Sequence, residues 1–261
     1  MFHLRIDFLV CVLLLAAVKL KAQKEITTFG IQFKPILSSE LINTGPQTQQ
    51  EGDINFTIEP RAGYAFGMVI RKGFNDQFSL ETGINYTQRN FKLSISEDST
   101  GFNGSSSFKY VIYEIPVLAL IYIRLGENTY MNTAFGASID LLPSDWETIG
   151  DYYQHFSQRK SWLLPSLLAN VGFEYRTYDK GYYYLGLSYH RPFTNITTAG
   201  VAYTTTDIPR LEKESAFFDI LGNYLTIDLR YFFHEKPQVL PCLFCQPVPP
   251  LAGLYAHGET G

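Results

Sequence analysis

Histidine and cysteine are the side chains of this sequence best suited to acid–base, redox or metal chemistry. Cys242 and Cys245 form a C-x-x-C pair near the C-terminus, which is half of a zinc site at best and otherwise suits a local disulfide. His190 lies in an alternating apolar segment and could act as a general base, because imidazole titrates near neutrality. No Ser/His/acid triad, phosphate-binding glycine loop or complete metal cluster can be assigned from spacing. The sequence therefore predicts no catalytic, cofactor-binding or metal site.

Charged side chains recur at alternate positions of otherwise apolar segments, on the face opposite the large apolar residues. Enclosed charges must be paired, so these residues predict a salt-bridged network that fills a narrow interior. An ion path and a pair of catalytic carboxylates are the alternatives. The predicted network consists of Arg61, Glu81, Glu114, Asp140, Glu174, His190, Asp228 and Arg230.

Strict alternation is the dominant pattern between residue 26 and residue 233, and it predicts β-strands that position these charges. Short polar turns and long loops follow the strands in turn, with long loops at 37–57, 90–109, 142–161 and 194–218. Pro116 removes a ladder donor inside the fourth strand and predicts a bulge there. The predicted strands are 26–36, 58–71, 77–89, 110–124, 129–141, 162–176, 182–193 and 219–233.

An even number of strands with alternating short and long connections is typical of a closed bacterial outer-membrane barrel. The polar faces carry small residues such as Gly63, Ala65 and Gly67, which suit the narrow lumen of eight strands. The apolar faces carry aromatic residues near both strand ends, as in membrane girdles. The expected fold is all-β, an eight-stranded antiparallel up-and-down transmembrane barrel over residues 23–234.

The chain ends differ from the barrel in composition. Residues 1–22 combine Arg5 with the apolar run from Phe8 to Val18 and end on Ala22, the pattern of a cleaved signal peptide. Residues 235–261 predict a proline-rich, disordered periplasmic tail that holds Cys242 and Cys245. The formal net charge of −4 argues against a nucleic-acid partner, which a basic face would indicate.

Four segments carry a family resemblance. Residues 83–92 (GINYTQRNFK) resemble a third-strand G-x-x-Y-x-Q-[KR]-x pattern, and residues 113–118 (YEIPVL) resemble a fourth-strand L-E-I-P-L-L pattern. The Tyr-rich stretch 184–196 and the closing stretch 224–233 resemble the last two strands. Over about 24–234 the chain thus resembles the PorT-like outer-membrane barrels of Bacteroidota, although 28 residues follow Phe233 where such barrels usually end.

The resemblance implies a non-enzymatic barrel of the cell outer membrane that anchors or assembles envelope complexes, with a link to type IX secretion. Its expected partners are outer-membrane lipid, the barrel-assembly machinery during biogenesis, and envelope or secretion-complex proteins. A small pore and a lipid-modifying enzyme are the alternative functions.

Overall fold

The computed structural model describes residues 26–37, 44–143, 146–149, 153–178, 180–204 and 212–234. The predicted signal peptide and the tail with Cys242 and Cys245 lie outside the described residues. No described helix is long and apolar enough to cross a membrane. The strands are β1 Ile26–Leu37, β2 Gln47–Glu51, β3 Ile54–Gly73, β4 Phe78–Glu97, β5 Phe102–Arg124, β6 Thr129–Leu141, β7 Trp146–Ile149, β8 Tyr153–Arg159, β9 Leu163–Thr177, β10 Gly181–Pro192, β11 Thr197–Thr204, β12 Glu212–Ile220 and β13 Tyr224–Phe232.

Eight long strands form a closed antiparallel barrel. They follow each other around the ring in the order β1, β3, β4, β5, β6, β9, β10 and β13. The ring closes because β1 pairs with β13 on one side and with β3 on the other. A closed ring leaves no free sheet edge in hydrocarbon, where unpaired backbone groups cost several kcal/mol each. The predicted eight-stranded barrel is confirmed.

Alternating residues of each barrel strand divide between lipid and lumen. On β1, Phe29, Ile31 and Phe33 are about half exposed, whereas Gln32 and Lys34 at the alternate positions are buried. The same division holds along β13, where Leu229 is exposed and Asp228 and Arg230 are buried. Large apolar side chains therefore cover the outside of the barrel, and polar side chains fill its lumen together with a buried apolar cluster around Leu118, Leu120 and Leu168.

The predicted long loops are wrong, because most of their residues form strands. β3, β4 and β5 extend beyond the barrel, and β2 pairs with the extension of β3. A separate four-stranded sheet, in the order β12, β11, β8 and β7, lies at the same end. Gly52 and Gly101 adopt positive φ angles of 59° and 70° at the two hairpin tips. Left-handed backbone of this kind favours glycine and permits these tight connections.

The extensions of β3, β4 and β5 pack against the four-stranded sheet around a shared apolar core, and we call this unit the cap. Ile54 and Phe56 of β3, Leu93 of β4, and Val201 and Phe218 of the second sheet are each at most 1% exposed. Burial of this apolar surface keeps the cap folded. The core also explains why these segments cannot be loops: their apolar side chains need a second sheet to cover them.

One face of β4 lines both the barrel lumen and the cap core. Its inward side chains run from Asn85, Thr87 and Arg89 in the lumen to Phe91, Leu93 and Ile95 in the cap, all on the same parity. Polar filling gives way to apolar core between Arg89 and Phe91, so the barrel interior ends at that level.

β3 also directs side chains into both the lumen and the cap core, but its inward-facing positions change parity at a register shift. Its register with β4 shifts between Arg61 and Tyr64, which inverts the parity of the residues before the shift. Arg61 therefore lies on the outer face, where its side chain is 50% exposed and pairs with Glu59 at 3.1 Å. The assignment of Arg61 to the lumen network is thus wrong. The predicted bulge at Pro116 is also wrong, since the register of β4 and β5 is unchanged across that residue.

Candidate functional site

One half of the lumen lies near the short turns between the barrel strands, away from the cap, and we call it turn-side. Arginine–carboxylate pairs hold this half together. Arg71 on β3 donates to Glu81 on β4 at 2.9 Å and to Glu174 on β9 at 2.5 Å, across the barrel. Arg230 on β13 donates to Glu81 as well and to Asp228 at 2.6 Å. All five side chains are at most 5% exposed. Charged hydrogen bonds of this kind are about twice as strong as neutral ones.

Aromatic rings surround the guanidinium groups of this network. The Arg71 guanidinium carbon lies 3.9 Å from the ring centroid of Phe232, and that of Arg230 lies 4.8 Å from the centroid of Tyr184. Such contacts contribute about 0.5–2 kcal/mol each, depending on desolvation. The Tyr184 ring folds over Gly186, where an added Cβ would overlap its hydroxyl oxygen. Only a residue without a side chain fits beneath that ring.

Asp228 is the most heavily bonded carboxylate of the lumen. Besides Arg230, it accepts hydrogen bonds from Ser188 and Thr226 at 2.5 Å each and from Asn170 at 3.1 Å. The ammonium group of Lys34 lies 3.8 Å away. These donors satisfy both carboxylate oxygens, which is the condition for burying a charge at low cost.

The cap-side half of the lumen holds a different cluster. His190 Nε2 lies 2.9 Å from Asp140 Oδ2 and 3.7 Å from Glu114 Oε2. Its ring stacks on Tyr224, with centroids 4.4 Å apart and planes at 12°. The three side chains come from β5, β6 and β10 and are at most 3% exposed. They are the only described group of three or more His, Cys, Asp or Glu side chains whose ligand atoms lie within 4.8 Å of one another.

Four further side chains orient the two carboxylates. Ser138 and Ser166 donate to Asp140 at 2.9 and 2.5 Å, and Asn85 and Tyr224 donate to Glu114 at 2.8 Å each. Gln32 in turn donates to Asn85 at 2.5 Å. The cluster is therefore rigidly positioned from β1, β4, β6, β9 and β13.

The Ser138, His190 and Asp140 side chains do not form a nucleophilic relay. In such a relay one imidazole nitrogen faces the acid and the other faces the hydroxyl. Here Ser138 Oγ and Asp140 Oδ2 both face Nε2, at 3.5 and 2.9 Å, while Nδ1 has no hydrogen-bond partner. Ser138 also donates to Asp140, so its proton is directed away from the imidazole.

Two arginines mark the two ends of the lumen. Arg89 lies below the cap core and donates to the carbonyl oxygens of Leu221 and Asn223, and no described carboxylate forms an ion pair with it. Arg124 is exposed at the other end and donates to the Gly126 carbonyl oxygen at 2.9 Å. Neither belongs to the ion-paired network.

The cap contains its own buried histidine. His155 is 1% exposed, its ring centroid lies 4.3 Å from that of Phe108 with the planes tilted by 39°, and its Nε2 lies 3.1 Å from Ser157 Oγ. Burial in the apolar core lowers the pKa of His155 to about 4. The imidazole is therefore neutral at physiological pH and contributes packing to the cap.

The structure places seven of the eight predicted network residues inside the barrel, in two separate groups. Glu81, Glu174, Asp228 and Arg230 belong to the turn-side network, and Glu114, Asp140 and His190 form the cap-side cluster. Arg71 on β3, whose place on the lumen face follows from the same alternation, is a central member of the turn-side network. The convergence of Glu114, Asp140 and His190 could not be read from spacing, because they lie on three different strands.

Comparison with known proteins identifies the family. The chain is similar to OprG of Pseudomonas aeruginosa (14% identity, TM-score 0.48, 82% of this chain and 98% of that one), to the translocator domain of the autotransporter NalP of Neisseria meningitidis (12%, 0.37, 88% and 96%) and to the outer membrane protease OmpT of Escherichia coli (11%, 0.39, 82% and 100%). No curated protein matches the chain. Residues 27–198, more than half of the chain, match the family described as the outer membrane protein beta-barrel domain. The chain therefore belongs to this family of outer-membrane β-barrel proteins.

Proposed function

We propose that this protein is a non-enzymatic, non-conducting barrel that anchors or assembles an envelope complex through its cap. The observation that carries the proposal is the filled lumen. Arg71 spans it by bonding Glu81 and Glu174 on strands of opposite sides, and Leu118, Leu120 and Leu168 belong to a buried apolar cluster in the same lumen. The cap core covers the other end. A barrel closed in this way is suited to holding a partner rather than to passing a solute.

The proposed orientation follows the usual asymmetry of outer-membrane barrels, in which short turns are periplasmic and long connections are extracellular. The cap then projects from the cell, and both ends of the barrel sequence lie in the periplasm after a signal peptide has exported the chain. The resemblance to PorT-like barrels supports a role in envelope assembly or type IX secretion.

The outer face of the cap carries a feature that suits a protein partner. Phe156 and Phe217 are 39% and 56% exposed, and their ring centroids lie 6.1 Å apart. Exposed aromatic pairs outside the lipid zone are typical of binding surfaces, because aromatic side chains dominate interface hot spots.

The alternative functions lack comparable support. A pore requires a continuous water path, which the Arg71–Glu81–Arg230 network crosses. A lipid-modifying enzyme requires a nucleophile that reaches the lipid, whereas Ser138 and Ser166 are buried and bonded to Asp140.

Planar-bilayer recording tests the closed lumen. We expect no steady current through wild-type protein. The relevant comparison is the Arg71→Ala variant, which removes the side chain that spans the lumen and should produce brief openings. Steady, ion-selective current through wild-type protein would overturn the closed barrel and favour the pore.

Affinity purification from native outer membrane tests the anchoring role. We expect one envelope protein to co-purify in near-stoichiometric amount with the wild type and to be lost from a Phe156→Ser/Phe217→Ser double variant. Tyr178→Ser is the matched control, because Tyr178 is 79% exposed at the opposite end of the barrel. Recovery of the barrel alone from wild-type membranes would contradict the anchoring role.

A further inference from the structure

The cap-side cluster differs from the turn-side network in how its charges are balanced. Glu81, Glu174 and Asp228 each bond at least one arginine. Glu114 and Asp140 have no arginine or lysine ion pair among the described residues, and both instead face the same nitrogen of His190. Buried charges are paired, neutralised by a proton or bound to a metal ion, so two carboxylates converging on one imidazole form a place where a cation would balance the charge.

The positions of the three facing atoms suit a metal ion. Bonds of about 2.0–2.2 Å from Zn²⁺ to nitrogen and oxygen ligands separate neighbouring ligand atoms in a tetrahedral site by about 3.4 Å. The observed separations from His190 Nε2, 2.9 Å to Asp140 and 3.7 Å to Glu114, lie on either side of this value. Small side-chain adjustments would therefore place all three at bonding distance from one ion.

The surroundings supply a second observation that points to a ligand. The His190 imidazole is 2% exposed, and its Nε2 lies within reach of a carboxylate oxygen from each of Glu114 and Asp140. Ser138, Ser166, Asn85 and Tyr224 hold the carboxylates through hydrogen bonds of 2.5–2.9 Å. Ligands whose orientation is fixed by surrounding hydrogen bonds are the arrangement in which proteins bind metals tightly.

We propose that Glu114, Asp140 and His190 bind one divalent transition-metal ion and that this ion ties β5, β6 and β10 together beneath the cap. One imidazole nitrogen and two carboxylate oxygens form a borderline donor set that Zn²⁺ accepts, with a water molecule as the fourth ligand. A 2+ charge neutralises both carboxylates. The site has a structural role, because the cap core and the filled lumen leave a substrate no approach to the ion.

The proposal is independent of the anchoring role, because it concerns barrel stability and not partner binding. The full chain, with Cys242→Ser and Cys245→Ser to remove the other pair of zinc-binding side chains, is unfolded in denaturant containing EDTA and then freed of EDTA. It is refolded into detergent micelles with ZnCl₂ or without metal, and unbound ion is removed. Metal analysis should then find about one Zn²⁺ per folded chain, and Zn²⁺ should raise the thermal unfolding midpoint. Co²⁺ in place of Zn²⁺ should give a visible absorption band, which reports the ligand field directly.

Variants locate the site. Glu114→Gln, Asp140→Asn and His190→Gln should each abolish Zn²⁺ binding. Tyr224→Phe keeps the ring beneath His190 but loses the hydrogen bond to Glu114, and should weaken Zn²⁺ binding by about 10–100-fold. Glu147→Gln in the exposed part of the cap is the matched control and should bind Zn²⁺ like the wild type.

Three outcomes would overturn the proposal. The first is folded wild-type protein that retains no Zn²⁺ and gives no Co²⁺ absorption band. The second is Zn²⁺ binding that persists in folded Asp140→Asn and His190→Gln variants. The third is metal-free stability that depends on pH alone, which would make imidazolium the balancing cation. If a ligand variant does not fold, the Co²⁺ band of the wild type and the Tyr224→Phe affinity decide the matter.

Discussion

Glu81 bonds two arginines at once, so its neutralisation tests the lumen network most directly. Its carboxylate accepts from Arg71 through Nε and Nη2, at 3.1 and 2.9 Å, and from Arg230 Nη1. Glu81→Gln keeps the size of the side chain and removes only its charge. Both arginines then lose one ionic partner without gaining space or water.

The expected loss of unfolding free energy depends on the ion pairs that the two arginines keep in the variant. Orphaning a buried charge costs about 3–5 kcal/mol. Arg71 keeps Glu174 and Arg230 keeps Asp228, so neither guanidinium is orphaned completely. Hydrogen bonds to charged groups contribute about 1.5–3 kcal/mol each, and the neutral amide of the variant would retain weakened versions of them. We therefore expect Glu81→Gln to lower the free energy of unfolding by about 3 kcal/mol, at the lower end of that range.

Equilibrium unfolding in urea, with the protein folded in lipid vesicles, measures this loss. The double variant Glu81→Gln/Arg230→Gln completes a thermodynamic cycle. Its loss of unfolding free energy should be smaller than the sum of the losses in the two single variants, because each substitution removes the charge that the other leaves unpaired. Glu147→Gln, whose side chain is exposed, should leave stability unchanged. A loss below about 0.5 kcal/mol, the level of an ordinary surface substitution, would refute the argument that the network fills and braces the lumen.

Three further predictions concern the two faces and the cap. Val171→Arg, in the middle of β9 on the lipid-facing side, should cost about 2–4 kcal/mol and lower the folding yield into vesicles, whereas Tyr178→Arg at the exposed turn should not; equal yields would mean that the faces are assigned incorrectly. Phe218→Ala should cost about 3–5 kcal/mol of cap stability, measured as trypsin sensitivity of the cap, while Phe217→Ala on the opposite face of β12 should have little effect; equal sensitivity would contradict the cap core. The cap should also lose stability as the pH falls from 6.5 towards 4, because the His155 pKa of about 4 lies below its ordinary value and the unfolded chain takes up the proton first. Stability from this source is complete above pH 6.5, and His155→Phe should abolish the loss; the same pH profile in variant and wild type would refute it.

The barrel could be predicted because each strand faces two different environments. Lipid on one side and a narrow polar lumen on the other impose a period of two, which the sequence displays from β1 to β13. Strand bounds agree well for β6, predicted and observed at 129–141. The lumen position of Glu81, Asp228 and Arg230 follows from the same parity.

The cap could not be predicted in the same way, because its strands pair with partners far away in the sequence. β8 pairs with β11, so that His155 lies opposite Val201. A period-two signal was nevertheless present in Phe91, Leu93 and Ile95, which continue the inward parity of Arg89. The sequence has no comparable signal for Arg61, since the register shift before Tyr64 depends on the pairing with β4.

The change from polar to apolar filling along β4 has a consequence for the order of biogenesis. In the proposed orientation, the cap core cannot form until its hairpin tips have crossed the bilayer, because its apolar residues come from those tips. The β11–β12 hairpin lies in the chain between β10 and β13, the last two barrel strands of the sequence, and it supplies Val201 and Phe218. The core is therefore complete only when this hairpin is in place, and in the proposed orientation a protease-resistant cap on the cell surface would report that barrel insertion has finished.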